Sequence, residues 1–237
     1  MTLNLPPAPQ TLARLKALLA RIRHFDDLPP EVQESLAASA SPRHFKAGQV
    51  IYIEGEPADA FYLLERGWIK ATRMSRDGRE QAMLFLESGE IFGDIAVFSG
   101  TTYPGTVMTL EDVEVWAIPA QDFLTLTNQY PALAMAVIRH LSDRVLHYIG
   151  LVEDLSLRNV EARIANTLLQ HAESIDGQLL VPRRGWTTFD EMAVRLGTVR
   201  DVLSRALKTL ETEGLLRVEK QAIVLLDPKG LAERGNL

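Results

Sequence analysis

Arg200, Ser204 and Lys208 recur every four residues, with Asp201 and Arg205 beside them. On a helix that spacing stacks side chains along one face. A guanidinium placed there can donate two parallel hydrogen bonds to O6 and N7 of a guanine. Serine and lysine reach base edges or phosphates, and a carboxylate can accept from a cytosine amine. The chemistry on offer is recognition of double-stranded DNA, with Thr188 as a further polar contact just upstream. An ordinary helical hairpin with a solvated charged face would carry similar residues. The face therefore gains meaning only from the elements that present it.

Those elements are written between Thr187 and Leu216. Phe189, Met192, Ala193 and Leu196 fall at i, i+3, i+4 and i+7, one apolar stripe on a short helix. Thr188 with Glu191 fits a capping box at its start. Gly197 stands where the chain must turn, a position for left-handed backbone. Thr198 with Asp201 predicts a second capping box, and Leu203, Ala206, Leu207 and Leu210 predict the buried stripe of a second helix. Leu215–Val218 and Ala222–Leu226, around a polar Glu219-Lys220-Gln221 turn, read as the hairpin of a winged helix. Two short helices about a glycine, the second cationic outside, are what a major-groove reader needs.

Upstream the periodicity differs. Residues 10–40 read as helical, with Leu12, Leu15, Leu18 and Leu19 on one face and a second short helix over Glu31–Ala38. From 44 to 119, short β-rich runs at Val50–Ile53, Phe61–Leu64, Trp68–Thr72, Ala82–Leu86 and Val113–Trp116 alternate with glycine turns. That pattern predicts an antiparallel sandwich or barrel. From Pro131, Ala134, Ile138, Leu141, Val145, Tyr148, Val152 and Leu155 alternate in steps of four and three, an a/d seam. Such a helix packs on its own domain or zips two identical chains together; its place between a β domain and a winged helix favours the second. Ile138, Leu141, Val145, Tyr148 and Val152 are then the dimerisation residues. A two-fold dimer sets its reading helices about 34 Å apart, matching a palindromic site. Asn159–Ala172 predicts one more helix, followed by a loop at Ser174–Gly177. The expected organisation is α+β: a sensory domain over 1–130, a dimerisation helix over 131–156 and a winged-helix DNA-binding domain over 157–237.

Composition is that of a globular protein, with 46% hydrophobic and 24% charged residues. The start, Met1–Pro7, lacks a basic region followed by an apolar core and predicts no secretory signal. The longest apolar run, Ala132–Ile138, has seven residues, against about 18 for a membrane span. A cytoplasmic protein with no membrane partner is expected. The absence of cysteine excludes disulfides, thiolate zinc and cysteine-ligated clusters. The net charge of −6 is uneven: residues 155–237 hold twelve cations and eleven acids, while Arg183–Lys208 holds six cations against three acids. Positive potential is thus local to the reading head. No nucleophile elbow, HExxH, P-loop or spaced carboxylate pair points to an enzyme.

This order of parts, with these residues, resembles the CRP/FNR family of bacterial transcription regulators (cyclic-AMP receptor protein and fumarate–nitrate regulator). The resemblance runs from about Phe25 to Leu231. It rests on the helix-turn-helix and on the glycine pattern Gly48, Gly55, Gly67, Gly78, Gly89 and Gly93. It implies a cyclic-nucleotide-binding-like jelly-roll domain, a homodimer and RNA polymerase as the eventual partner. The family's reading helix is matched by Arg200, Asp201, Ser204 and Arg205, with aspartate where the family has glutamate.

The resemblance also implies an effector pocket at Gly93, Asp94, Tyr103, Pro104 and Thr106. The family holds a ribose with a glycine–glutamate pair and a cyclic phosphate with an arginine followed by serine or threonine. Here Gly93-Asp94 shortens the acid, and no arginine lies near Tyr103–Thr106. No Lys or Arg occurs from Glu80 to Ile138, a stretch with eight acids. Ordinary cyclic AMP is therefore not the expected effector, although backbone amides at a helix start can also hold phosphate. The sequence demands no cofactor and no metal. Haem or a nucleotide stays open, with His140, Arg144 and His147 on one helical face turned toward the sensory domain.

Overall fold

The computed structural model describes residues 9–75, 77–78, 80–184 and 188–236. Thr187 and the segment Met1–Pro7, both used in reading the sequence, lie outside them, as does the side chain of Leu155. The chain divides into two compact units, residues 1–146 and 147–237.

In the first unit, α1 (Pro9–Leu19) and α2 (Pro30–Ser39) precede β1 (Ser41–Phe45), β2 (Val50–Tyr52), β3 (Ala60–Arg66), β4 (Trp68–Met74), β5 (Glu80–Glu87) and β6 (Ile91–Phe92). A short α3 (Asp94–Ser99), β7 (Thr106–Thr109), β8 (Val113–Pro119), α4 (Ala120–Gln129) and α5 (Pro131–Leu157) follow. The strands form two antiparallel sheets, ordered β1-β8-β3-β6 and β2-β7-β4-β5, which is a jelly roll. All five predicted β runs lie within or overlap strands. The strands not predicted are short or polar: β6 has two residues, and β1 reads Ser-Pro-Arg-His-Phe.

β3 and β8 are apolar at successive positions because both of their faces are covered. Strand side chains alternate between faces. Phe61 and Leu63 of β3, with Trp116 and Ile118 of β8, pack into a core shared with α1, α2 and α4. Tyr62 and Leu64, with Val113, Val115 and Ala117, fill the space between the two sheets. Arg14 of α1 ties that helix to the sheet, donating to both carboxylate oxygens of Glu65 at 3.0 and 2.7 Å and lying over the Trp116 ring.

In the second unit, α6 (Val160–Gln170) opens on Asn159, whose Oδ1 accepts from Ala162 N at 2.9 Å. β9 (Glu173–Ile175) and β10 (Gln178–Pro182) come next, then α7 (Phe189–Arg195), α8 (Arg200–Thr212), β11 (Leu216–Val218), β12 (Ala222–Leu225) and α9 (Pro228–Gly235). The antiparallel sheet runs β11-β12-β10-β9. The predicted loop at Ser174–Gly177 is instead a hairpin. Asp176 (φ 50°) and Gly177 (φ 78°) both take positive φ, the two-residue turn that matches strand twist. Unpredicted α9 covers α6, with Leu231 fully buried and Asn166 donating to Gly235 O at 3.1 Å. No described helix is long and apolar enough to cross a membrane.

Candidate nucleic-acid interface and effector pocket

The reading head forms as its stripes predict. Leu203, Ala206, Leu207 and Leu210 are all buried, packed with Ile164 and Leu168 of α6 and with Leu216, Ile223 and Leu225 of the hairpin. Burying that stripe fixes the opposite face: Arg200, Asp201, Ser204, Arg205 and Lys208 are all exposed, as is Thr188. Thr188 caps α7, its hydroxyl accepting from Glu191 N at 3.2 Å. Gly197 takes φ 61° at the turn, and Thr198 N donates back to Ala193 O at 2.9 Å.

The second capping box does not form. Val199 is the N-cap of α8 and supplies no side-chain hydrogen bond. Thr198 is one residue too early, because its amide closes the turn after α7. Asp201 still lies in the first turn of α8, where a carboxylate suits the partial positive charge.

Two exposed cations are engaged within the unit. Arg200 Nη1 donates to Asp190 Oδ2 at 3.2 Å, and Arg205 Nε donates to its own helix at Asp201 O, 3.3 Å. Each side chain of the Arg200–Asp190 pair is 63% exposed, so the pair holds weakly and opens at little cost. Nearby, Arg183 lies over the Phe189 ring, 5.3 Å from its centroid, and donates to Glu219 O at 3.1 Å. Asp190 and Arg183 entered the sequence reading only in the local charge count and not as site residues, since neither lies on the face that the α8 spacing singles out.

In the first unit Gly93 (φ 82°) must be glycine. A Cβ there would meet Ala60 O at 2.8 Å and press on the Tyr62 ring at 3.3 Å. Tyr103 is buried and stacks on Tyr52 with ring centroids 3.6 Å apart; its hydroxyl donates to Asp59 Oδ1 at 2.8 Å or to Ala60 O at 3.0 Å. Burial raises its phenol pKa. Thr106 Oγ1 accepts from Glu54 N at 3.1 Å. Pro104 is exposed. The predicted pocket residues are thus committed largely to their own strands and loops.

Asp94 turns elsewhere. Its side chain is 2% exposed, and Oδ2 has no hydrogen-bond partner among the described residues, lying 3.5 Å from His140 Nε2 of α5. Arg144, also buried, donates to Ile91 O at 3.1 Å and sits 3.1 Å from the same His140 nitrogen. So a cation does reach the segment that lacks its own, carried in by α5. Burial first, then the Arg144 charge, pushes the His140 pKa down to about 4. The imidazole is therefore neutral near pH 7, and its contact with Asp94 is not then an ion pair. Burial raises the Asp94 carboxyl, opposed by Arg144. His147, expected on the same face, is exposed.

α5 also departs from its predicted seam. Leu133, Ala136 and Val137 are buried in the first unit's core, and Leu141 packs against it. Tyr148 is half-buried. The exposed apolar residues include Ile138, Val145, Ile149 and Val152, and Ser142 completes the same four-three alternation. Three predicted seam residues are on this stripe; Leu141 and Tyr148 give way to Ser142 and Ile149.

A jelly roll joined through a long helix to a winged helix-turn-helix with an exposed cationic face defines a DNA-binding transcription regulator. Residues 42–130 match the family described as cyclic nucleotide-binding domain, and residues 162–234 match the Crp-like helix-turn-helix domain. The chain belongs to the CRP/FNR family of transcription regulators. It is 26% identical over 222 residues to the CRP-like cAMP-activated global transcriptional regulator of Mycobacterium tuberculosis H37Rv, covering 92% of this chain and 98% of that protein. A CRP/FNR-family transcriptional regulator from Thermus thermophilus matches with a TM-score of 0.67 at 26% identity, over 83% of this chain and 99% of that one. FixK2 from Bradyrhizobium japonicum shares the fold, with a TM-score of 0.71 at 22% identity over 82% and 96% of the two chains.

Proposed function

We propose that this regulator acts in the cytoplasm as a homodimer on a palindromic promoter site, with RNA polymerase as its eventual partner. Its dimer forms through the exposed stripe of α5, within a three-part organisation of sensory domain, dimerisation helix and DNA-binding domain. Arg205, Ser204, Asp201 and Lys208 face the groove, flanked by Arg200 and Thr188. The observation that carries this reading is the division of α8, with Leu203, Ala206, Leu207 and Leu210 buried on one side and exposed polar residues, Arg200, Asp201, Ser204, Arg205 and Lys208 among them, on the other. In vitro selection from a random duplex pool tests it: a two-fold symmetric consensus is expected, and recovery of no consensus rejects it. Arg205→Ala should then lose about 1–3 kcal/mol of discrimination at one guanine per half-site, read as a loss of preference by competition footprinting. Equal preference in wild type and variant would reject the base-reading role.

The effector is not ordinary cyclic AMP. Tyr103 lies in the segment where the family carries its phosphate-binding arginine, with its ring stacked on Tyr52 and its hydroxyl committed to Asp59 and Ala60. Asp94, the counterpart of the ribose-binding glutamate, faces His140 instead. The residues present therefore do not fit a cyclic phosphate. An effector-gated reading, through haem with nitric oxide or through an atypical nucleotide, draws support from the Asp94–His140–Arg144 cluster, which ties α3 to α5. His140 itself fits poorly as an axial ligand, because its Nε2 faces Arg144. Native mass spectrometry and the absorption spectrum of fresh protein distinguish these cases: a retained ligand or a Soret band supports gating by an effector, and bare dimer mass opposes it.

A further inference from the structure

The buried contact between α3 and α5 leaves one proton to be placed. Arg144 Nη2 lies 3.1 Å from His140 Nε2, and a guanidinium nitrogen can only donate. The ring nitrogen must therefore accept, so the neutral imidazole carries its hydrogen on Nδ1. The second hydrogen of Arg144 Nη2 goes to Ile91 O at 3.1 Å. Nothing is left to give to Asp94 Oδ2, which faces the same His140 Nε2 at 3.5 Å and has no donor among the described residues. An ionised Asp94, 2% exposed, would set a bare anionic oxygen against the lone pair of the ring. A protonated Asp94 removes both faults: the oxygen is neutral, and its O–H can point at Nε2. Burial favours that form and outweighs the Arg144 charge and the amides at the start of α3, which favour the anion. Other charges lie around the cluster: Asp143 of α5 and His24, from the segment after α1, act on His140, and Glu90 lies close to Arg144. None of them supplies a donor to Oδ2.

We propose that Asp94 holds a proton near neutral pH and that losing it is a switch between α3 and α5. The proton leaves to solvent, and the new carboxylate competes for Arg144, the cation on the helix packed against it. Drawing Arg144 across breaks its bond to Ile91 O, a hydrogen bond that ties α5 to β6. The same helix carries the exposed stripe of Ile138, Val145, Ile149 and Val152, so loosening its tie to the jelly roll reaches the dimer and, through it, DNA binding. The sign follows from the cluster: neutral Asp94 is the tied state, so association weakens as pH rises. For its consequence the inference rests on the dimeric, DNA-binding function proposed above; for the proton it rests on the cluster alone.

The test uses the full chain between pH 6 and pH 9. Infrared spectra should show the carbonyl stretch of a protonated carboxyl at the acid end, fading as pH rises. Isotope-labelled aspartate shifts that band and separates it from any contribution of Glu90, with no variant needed. Asp94→Asn copies the neutral acid in shape and charge; it should lack the band, and thermal melts check that it folds as wild type does. Sedimentation equilibrium should show wild-type dimerisation weakening by about tenfold or more over the range, with the midpoint at which the band fades. Asp94→Asn should dimerise equally well throughout, and anisotropy on a duplex recovered by in vitro selection should follow the same two patterns. Absence of an aspartate band at pH 6, or a band that fades while dimerisation stays constant, overturns the switch and leaves the dimer intact. A pH dependence that persists in Asp94→Asn overturns it as well. Wild-type protein that is monomeric at every pH overturns the dimer reading and the switch together.

Discussion

Replacing Val145 and Ile149 together by glutamate is expected to leave the chain monomeric and its DNA affinity at least about a hundredfold lower. Both side chains are largely exposed, at 56% and 59%, so the isolated fold should tolerate the change. They lie on the same helix, four residues apart, with Ile138 and Val152 extending the stripe. Isolated exposed aliphatic residues are ordinary, but a row at coiled-coil spacing is a surface that gains by being covered. A charge at two successive seam positions meets its own copy across a two-fold axis, so repulsion and desolvation act at the same place. Losing the dimer turns bivalent binding into monovalent binding, and linkage of this kind contributes about 10²–10⁴ in apparent affinity. Sedimentation velocity reads the oligomeric state, and anisotropy on the selected palindrome reads affinity. Leu141→Ala makes an informative contrast, because Leu141 packs against the core of the first unit. It should lower stability more than it weakens dimerisation. A double variant that still sediments as a dimer would remove the seam from consideration.

The second large effect is loss of stability in acid through His140. In the unfolded chain an imidazole protonates near 6.5, whereas the folded site keeps His140 neutral down to about 4. Between those values the unfolded chain binds the extra proton. Stability contributed by the neutral imidazole is therefore fully present above about 6.5. It falls progressively as the pH drops toward 4 and levels off below. The whole window corresponds to about 3 kcal/mol. Asp94 and Glu90, both raised by burial, act with the opposite sign: their contribution is present at low pH and is lost as pH rises through their raised values. His140→Gln isolates the histidine, since glutamine does not titrate and can still accept from Arg144. Urea unfolding at pH 7.5, 5.5 and 4.5 should give similar stability for the two proteins at the first pH. The variant should have a clear advantage at the last. Parallel curves at all three would contradict the burial argument.

Periodicity made the second unit legible because its elements are amphipathic and short-range. The stripe Leu203–Leu210 names its own buried face, and the opposite face follows without reference to any other element. Thr188 declared its cap by local spacing, and Gly197 its turn. The Asp176-Gly177 hairpin read only as a loop, because its flanking residues are too few and too polar to mark strands. Thr198 misled because a cap depends on where the helix starts, and the closing bond to Ala193 moved that start to Arg200.

In the first unit, alternation announced an antiparallel β domain, and the order of its strands stayed hidden. Pairings such as β1 with β8 join residues about seventy positions apart, and nothing local encodes them. The same holds for the buried cluster. Asp94, His140 and Arg144 meet because α5 packs back on the jelly roll, so the missing cation of one segment is supplied by another. The seam of α5 shifted for a related reason. A heptad pattern fixes which residues share a face, whereas choosing between two neighbouring faces depends on which one the core claims first. Leu141 went to the core, and Ile149 was left outside. Local chemistry, then, wrote the two helices of the helix-turn-helix, the cap at Thr188 and the exposed polar face of α8 into the chain. Long-range packing alone assigned the burial of Asp94 and the face of α5 that the core takes, because those depend on distances between segments that the sequence keeps apart.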